Sequence, residues 1–368
     1  MDVRRPIDRL LLFFAVLLMA VGMVWIYSAS AVKAAQGSSA ATAYLFRQLV
    51  GGGIGIALML ALSQVDLNVL KEHPRILQLA YVALVVLLFA VFAFPKVNNA
   101  HRWIRFSFIS LQPSELFKPF AVLLAAWWMV RHQETWARFE ESLPKLLLLL
   151  LILALPLGLI LLEPDFGTTA LTAIVVFLVI YLGGLHRWVL TGLATALAVG
   201  GGIAIAASPY RLARFLSFLN PEADPLGKGH QALQSLVAVG NGGLAGVGMG
   251  AGRQKLFFLP EAHNDFIFAV IAEETGLIGT VIVLALFCLV FWRGYRVARR
   301  VRDPFLRLSA MGFTLLLVLQ ALMNMSVVLS IAPNKGIPLP FISYGPTSLI
   351  ASLVCLGLLL SISKEASG

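Results

Sequence analysis

The sequence predicts an all-α polytopic membrane protein with about ten transmembrane helices and a long outer-side loop between spans seven and eight. Hydrophobic residues make up 59% of the 368-residue chain and charged residues only 12%, against roughly 25% charged residues in ordinary soluble domains. The apolar residues fall in runs of about 17–25, the length at which an α-helix crosses about 30 Å of hydrocarbon. This composition excludes a water-soluble globular fold.

The apolar runs predict the spans in order along the chain. We expect them at residues 10–29, 46–63, 77–94, 114–130, 145–162, 168–184, 189–207, 266–292, 307–331 and 347–363. The first run is longer than the roughly 7–15 residues of a signal-peptide core, so we interpret it as an uncleaved helix. We expect residues 1–368 to form a single transmembrane domain.

Basic residues predict the orientation of the spans. Segments on the N-terminal side of the membrane carry more Lys and Arg than the opposite segments, with the densest run between Arg293 and Arg307. Because Lys and Arg accumulate on the cytoplasmic side, we expect both termini to be cytoplasmic and the long segment 208–265 to be outside. The net charge of +10 is spread over loops without a dense patch, which argues against a nucleic-acid partner.

The end of the outer segment concentrates ionisable residues. Glu261, His263 and Asp265 stand just before span eight. Two interpretations of Asp265 stay open. It could cap the helix that follows, or it could be a catalytic carboxylate at the membrane surface, since a partly desolvated carboxylate accepts a proton more readily near neutral pH.

Two further carboxylates, Glu273 and Glu274, lie inside span eight. Ionisable groups at membrane depth are costly and mark functional sites by default. We nevertheless expect these two to be structural, with Lys118 or Asn324 of other spans as their partners.

A second outer segment carries basic and aromatic candidates before span four. Arg102 offers a forked donor for phosphate, and Trp103 offers a stacking face for a sugar. Pro113 fits a helix start. Glu115 and Lys118 lie three residues apart on one helix face, where they could pair with each other or face a substrate.

Three more segments border the same side. Glu163 and Asp165 stand in a tight turn between spans five and six, which we interpret as a capped hairpin, with divalent-cation binding as the alternative. The glycine-rich run 241–255 predicts a re-entrant turn packed against helices, because glycine permits close backbone approach. The proline-rich segment 333–345 predicts a rigid outer loop. This loop, which carries Lys335, could border a cavity shared by the outer-side segments.

These segments together resemble the SEDS family of bacterial membrane proteins, whose branches include FtsW, RodA and SpoVE. The resemblance covers nearly the whole chain. It rests on His101-Arg102-Trp103-Ile104, Gln112-Pro113-Ser114-Glu115-Leu116 with Lys118, Glu163-Pro164-Asp165 with Gly167-Thr168, Leu259 to Phe266, and Pro338 to Gly345.

The resemblance implies a peptidoglycan glycosyltransferase that polymerises lipid II at the outer face of the bacterial cytoplasmic (inner) membrane. It implies a class B penicillin-binding protein as transpeptidase partner, together with other division or elongation proteins. The family's catalytic aspartate matches Asp265. Residues linked to activity or to the central cavity match Arg102, Trp103, Glu115 and Lys118.

We add His263 and Lys335 as substrate-binding candidates, because one neighbours Asp265 and the other supplies positive charge for pyrophosphate. Segments such as Gln254-Lys255-Leu256 favour the FtsW-like division branch over RodA-like elongation. A lipid II flippase and an inert division scaffold stay open as other functions. No cofactor is certain, and a divalent cation, Mg²⁺ or Mn²⁺, stays open.

Overall fold

The computed structural model describes residues 6–35, 40–97, 100–105, 110–220, 229–257, 259 and 263–366. Their α-helices are α1 Arg9–Ala35, α2 Ala40–Leu62, α3 Val69–Glu72, α4 Pro74–Ala90, α5 Pro113–Arg131, α6 Phe139–Leu162, α7 Phe166–Leu182, α8 Arg187–Ala206, α9 Pro209–Leu219, α10 His230–Gly242, α11 Gln254–Phe257, α12 Ile267–Arg300, α13 Pro304–Val328 and α14 Pro346–Glu365. Strands β1 (Ile104–Arg105) and β2 (Ser110–Leu111) pair antiparallel.

The predicted all-α membrane fold is confirmed. Within the described residues, eight helices are long and apolar enough to cross a membrane, namely α1, α2, α4, α6, α8, α12, α13 and α14. The two remaining predicted spans coincide with α5 and with the shorter apolar helix α7. The total of ten spans stays a prediction. The predicted outer segment 208–265 contains α9, α10 and α11.

Local sequence signals explain where many of these helices begin. Proline has no backbone N–H to leave unsatisfied and has a helical φ, so it suits the first turn. Prolines stand there in α4, α5, α9, α13 and α14. Among the described residues, side chains cap four helix starts by accepting a backbone amide, which satisfies one of the free donors there. The capping residues are Asp8, Asp165, Ser208 and Asp303.

Helix α14 lies at the centre of the bundle. Of its most apolar stretch 94% is buried, against 11% for the peripheral helix α8. It packs chiefly against α2, where Gly357 stands so close that a β-carbon would lie 2.7 Å from the carbonyl oxygen of Met59. Its hydroxyls are satisfied by backbone carbonyls, as in the 2.9 Å hydrogen bond from Ser352 Oγ to the Ser348 oxygen. Close approach through small residues is typical of helices packed in membranes.

Helix α12 is broken at Gly276, whose φ of 66° and ψ of −160° lie outside the helical region. The glycine-rich segment 243–248 crosses the break and bonds to both halves. The Val247 amide donates to the Glu273 oxygen at 3.0 Å, and the Leu277 amide donates to the Gly243 oxygen at 2.9 Å. The glycine-rich run therefore packs against a helix as expected, and it supplies the hydrogen bonds that the kink removes.

Glu273 and Glu274 are structural, but their predicted partners were wrong. Glu273 accepts the backbone amides of Arg253 and Gln254 at 2.9 and 3.2 Å. Glu274 pairs with Lys255, with 2.5 Å between Oε1 and Nζ. Both carboxylates thus hold the glycine-rich segment and α11 against α12, and the elements that carry Lys118 and Asn324 take no part.

The kink gives a first prediction. A β-carbon on Gly276 would lie 2.5 Å from the Gly246 nitrogen, and its positive φ strains any side chain. We expect Gly276→Ala to lower the free energy of unfolding by about 2 kcal/mol or more. Gly158→Ala is the control, because Gly158 lies in α6 with nothing within 4 Å of its added β-carbon.

Thermal unfolding of the purified proteins in detergent checks this prediction. Gly158→Ala should be neutral or stabilising by up to about 1 kcal/mol, since alanine is the better helix former. Equal stability of the two variants would show that the kink is not needed.

Candidate functional site

A cavity of about 520 Å³ opens at the end of the bundle where α7 begins. The start of α7, the end of α8, helix α9 and the loop 333–336 form its walls. Its charge is predominantly basic. Among the described residues, the basic side chains lining it are Arg102, Arg211, Arg214 and Lys335, and the only acidic one is Asp165.

Asp265 lies behind the wall that Gly336 contributes to this cavity. A β-carbon placed on Gly336 would stand 2.8 Å from Oδ2 of Asp265, so the carboxylate reaches the backbone of the cavity wall. Asn324 Nδ2 donates to the backbone oxygens of Asp265 and Ile337 at 2.8 and 2.7 Å. The Asn324 amide therefore fixes the Asp265 turn to the loop that carries Gly336.

The capping interpretation of Asp265 is wrong. The residue at the N-cap of α12 is Phe266, which makes no side-chain capping hydrogen bond. Asp265 stands one residue earlier, in the turn 263–266. Its neighbour Glu261 lies outside the described residues. Asp265 thus stands at the mouth of α12, one residue before its N-cap position.

Side chains hold the loop 333–345 in place. Ser343 Oγ accepts the Leu339 amide and donates to the Asn264 oxygen, both at 2.7 Å. The Tyr344 amide donates to the His263 oxygen at 3.0 Å. Buried irregular backbone needs such partners, because no water satisfies it. The loop and the Asp265 turn are consequently one hydrogen-bonded unit, as expected of a rigid proline-rich segment.

Arg102 is bound to the acidic turn between α6 and α7. Its Nε donates to the Glu163 oxygen at 3.1 Å, and Nη2 donates to the Pro164 oxygen at 2.5 Å. Asp165 accepts the Thr168 amide at 3.1 Å and its hydroxyl at 2.9 Å. The interpretation of this segment as a capped turn is confirmed. The turn also borders the cavity, and it directs Arg102 into it.

Two cations lie against the Phe166 ring in the cavity wall. Lys335 Nζ lies 4.6 Å from the ring centroid, and the Arg211 guanidinium carbon lies 5.6 Å from it. Burial lowers the pKa of Lys335, because the charged form loses hydration. An anion bound between these side chains would restore the stability of the ammonium. The cavity is therefore suited to a phosphate-bearing ligand.

Arg211 and Arg214 are site residues that the sequence analysis missed. Both line the cavity from α9, a short helix in the predicted outer segment. They lie three residues apart, which places them on one face of a helix. The signal was present as Ser208-Pro209, a cap followed by a helix-starting proline, with basic residues spaced for one face.

Glu115 and Lys118 lie beneath the cavity loop. Their side chains pair at 2.8 Å, and each is 3% exposed. Lys118 Nζ also donates to Gln320 Oε1 at 2.7 Å, and Gln320 Nε2 donates to the Pro338 oxygen at 2.9 Å. The expected pairing is confirmed. The pair acts on the cavity through Gln320 and the loop, and neither member lines the cavity.

His263 and Trp103 do not line the cavity either. The His263 ring is buried and packs against Tyr44 and Tyr344, with centroids 4.8 and 5.5 Å apart. Trp103 is half-buried beside Arg102. Of the predicted site residues, Arg102 and Lys335 line the cavity, Asp265 lies behind its wall at Gly336, and His263 stands in the same turn as Asp265.

The carboxylates near the cavity do not assemble a metal-binding set. The described residues contain no group of three or more His, Cys, Asp or Glu side chains that could hold an ion. Asp165 is engaged as a helix cap, and Mg²⁺ or Mn²⁺ prefers several oxygen ligands. Among the described residues lining the cavity, the only carboxylate available to Mg²⁺ or Mn²⁺ is therefore Asp165, which already caps α7.

Glu163 is a buried carboxyl with an unusual environment. It is fully buried, and both its oxygens lack a hydrogen-bond partner among the described residues. Burial raises the pKa of Glu163 to about 8, the negative charge of Asp165 adds to this, and Arg102 opposes it. The raised pKa favours the protonated, neutral form of Glu163 at neutral pH, which reduces the negative charge beside the basic cavity.

The raised pKa gives a second prediction. As pH rises above the ordinary carboxyl value of 4.5, the unfolded chain releases the Glu163 proton while the folded chain keeps it up to about pH 8. Folded-state stability is therefore lost across this window and then levels off. We expect the stability of the wild type, relative to Glu163→Gln, to fall between about pH 4.5 and 8.

Thermal unfolding at several pH values checks this expectation, with exposed Glu134→Gln as the control. The difference between wild type and Glu163→Gln should change with pH more than the difference between wild type and Glu134→Gln. Equal pH dependence of the two differences would mean that the pKa of Glu163 is not raised.

Comparison with known proteins shows the family to which the sequence is similar. The sequence profile of the family described as "Cell cycle protein" (FTSW_RODA_SPOVE) matches residues 8–368. A protein of Geobacter metallireducens named "Probable peptidoglycan glycosyltransferase FtsW" is 37% identical over 361 residues, covering 98% of this chain and 96% of that one. A protein of the same name from Methylococcus capsulatus is 39% identical, covering 98% and 90%.

Solved structures show the same architecture. A chain from a structure described as "Structural coordination of polymerization and crosslinking by a peptidoglycan synthase complex" superposes with a TM-score of 0.76 at 32% identity, covering 98% of both chains. The rod shape determining protein RodA of Thermus thermophilus superposes with a TM-score of 0.67 at 29% identity, covering 97% and 96%.

Proposed function

This chain belongs to the FtsW, RodA and SpoVE family of cell cycle proteins, and we propose that it polymerises lipid II into glycan strands at the outer face of the bacterial cytoplasmic membrane. It is a multi-pass membrane glycosyltransferase of peptidoglycan synthesis with an FtsW-like role in cell division. The observation that carries the proposal is the position of Asp265, whose carboxylate reaches the wall of a basic cavity at Gly336.

Asp265 is the general base of the proposed reaction. It takes the proton from a hydroxyl of the acceptor sugar, and the resulting oxygen attacks C1 of the donor sugar. The bond between C1 and the lipid pyrophosphate breaks, and the pyrophosphate leaves with the electron pair. One base suffices, because attack opposite an α-linked leaving group inverts C1 and forms the β-1,4 bond.

The basic residues of the cavity stabilise the leaving group. Arg102, Arg211 and Lys335 all line the cavity. Their charges and N–H donors are fixed by contacts to the acidic turn and to Phe166. Donors held in place before the reaction stabilise developing charge strongly, since they need no reorganisation. We assign the pyrophosphate of the donor to this cavity.

Glu115 and Lys118 are positioning residues in this scheme. Their buried ion pair reaches the loop through Gln320 and the Pro338 oxygen. Removing one partner of such a pair leaves a buried charge uncompensated, which costs about 3–5 kcal/mol. A change at Glu115 or Lys118 would therefore shift the loop that carries Lys335 and Gly336.

The orientation follows from the two ends of the bundle. The described N-terminal residues and the end of α14 meet at the end opposite the cavity. The excess of Lys and Arg at that end favours the cytoplasm, so the cavity faces outward. A class B penicillin-binding protein is the proposed partner, because a new glycan strand needs a transpeptidase to cross-link it.

The third prediction tests the base. Asp265→Asn keeps the size of the side chain and removes its ability to take a proton, so polymerisation of lipid II should fall at least about 100-fold. The measurement is glycan product formed from purified lipid II in the presence of each candidate class B penicillin-binding protein in turn. Asp66→Asn, an exposed aspartate in the α2–α3 connection, is the matched control.

Unchanged thermal unfolding of Asp265→Asn would separate loss of chemistry from loss of fold. Polymerisation by Asp265→Asn at the wild-type rate would overturn the assignment of the base.

The fourth prediction tests the basic cavity with a residue that the sequence did not reveal. A hydrogen bond to a charged group contributes about 1.5–3 kcal/mol, so Arg211→Gln should lower kcat/KM for lipid II by about tenfold or more. Arg187→Gln removes an arginine at the opposite end of the bundle and should leave kcat/KM unchanged. Equal effects of the two substitutions would exclude a pyrophosphate site at Arg211.

A further inference from the structure

A second polar cavity lies at the opposite end of the bundle from Asp265. It has a volume of about 260 Å³ and is formed by the start of α1 and the ends of α12 and α14. Helix α12 begins beside Asp265 and ends at this cavity, 34 residues later. At about 1.5 Å per residue a straight helix of this length would span roughly 50 Å, and although the kink at Gly276 shortens this distance, the two ends of α12 lie at opposite ends of the bundle. The cavity is therefore on the other membrane face.

Arginines dominate this cavity. Arg9, Arg293, Arg296 and Arg300 line it, and among the described residues Asp8 is the only carboxylate that does. Arg293 binds Asp8 through Nη2 at 2.5 Å and through Nε at 3.1 Å. The other three arginines form no salt bridge within the described part of the chain. Among the described residues that line the cavity, four arginines thus stand against one carboxylate, which leaves an excess of positive charge.

Aromatic side chains place these arginines at the level of the lipid headgroups. Trp292 is 48% exposed and Tyr295 is 41% exposed on the last turns of α12. Arg293 and Arg296 lie 5.4 and 5.6 Å from the Trp292 ring. Exposed Trp and Tyr with neighbouring Arg are typical of the membrane–water boundary. We therefore expect these arginines to lie at the level of the lipid phosphates.

We propose that this cavity binds the phosphate headgroup of an anionic phospholipid. The guanidinium group is planar and presents paired N–H donors that match phosphate oxygens. A water occupies about 30 Å³ of liquid, so the cavity has room for a phosphoglycerol group. Basic pockets between transmembrane helices on the cytoplasmic side bind such headgroups.

A membrane lipid fits this cavity better than a soluble phosphate does. Leu10 also lines the cavity and is 48% exposed. It provides, with Trp292 on α12, an apolar surface beside the arginines on which acyl chains can lie. A free anion would gain nothing from this surface. The combination of basic cavity and apolar flank selects a ligand that carries both parts.

Asp8 limits the affinity of the cavity, because its carboxylate occupies Arg293. Asp8→Asn should release Arg293 and tighten binding by about fivefold, since each basic residue near an anionic surface contributes about that factor. Asparagine keeps an acceptor for the Leu11 amide, which Asp8 binds at 2.9 Å.

Asp303→Asn is the matched control for Asp8→Asn. Asp303 likewise accepts a helix-start amide, that of Leu306 at 3.0 Å, and pairs with a basic residue, Lys71. Asp303→Asn removes one negative charge at the same end of the bundle, as Asp8→Asn does, but Asp303 does not line the cavity.

The decisive experiment compares phosphatidylglycerol binding to the full chain by native mass spectrometry, with phosphatidylcholine as the neutral probe. Arg296→Gln with Arg300→Gln should weaken phosphatidylglycerol binding by about tenfold or more, since two basic contacts are lost. Arg131→Gln with Arg187→Gln removes two arginines that also lie beside tryptophans at this end, 5.2 and 5.6 Å from Trp127 and Trp188. That control should bind phosphatidylglycerol like the wild type.

Three results would overturn the proposal. Equal losses in the two double variants would indicate a general surface charge effect. Equal binding of phosphatidylcholine and phosphatidylglycerol by the wild type would remove the role of the charge. Glycerol phosphate that competes as well as the lipid would identify a soluble anion as the ligand.

Discussion

The structure depends on hydrogen bonds to buried backbone that belongs to no helix or strand. The loop 333–345 has no helix or sheet to pair its carbonyls and amides, and unpaired buried groups are costly. Side chains of the bundle helices supply the missing hydrogen bonds. Gln320 binds the Pro338 oxygen, Asn324 binds the Ile337 oxygen, and Gln48 binds the Ser343 oxygen. The same hydrogen bonds fix the position of the cavity wall relative to Asp265.

Features that depend on neighbouring residues could be predicted from the sequence. The length of an apolar run predicts a helix, because it is a local property that packing does not reverse. The cap at Asp165 and the ion pair between Glu115 and Lys118 join residues only three positions apart. The site residues Arg102 and Lys335 were predicted from sequence motifs, and both line the cavity.

Features that depend on which helices meet could not be predicted. Glu274 pairs with Lys255 across the glycine-rich segment and with Ser28 of the first helix. Nothing local distinguishes these partners from Lys118 or Asn324, since the choice is made by packing. Arg211 contacts Phe166 across the fold, and the local start signal of α9 does not indicate that contact. The backbone break at Gly276 arises from a tertiary crossing, so no local breaker pattern indicated it.

The burial of α14 has a consequence for biosynthesis. This helix is surrounded by α2, α5 and α13, and 94% of its apolar stretch is covered. Translation delivers it after all the helices that surround it. Until it emerges, the inward faces of those helices have no final partner. The bundle therefore cannot close progressively from the N-terminus, and its central core is completed only after α14 enters.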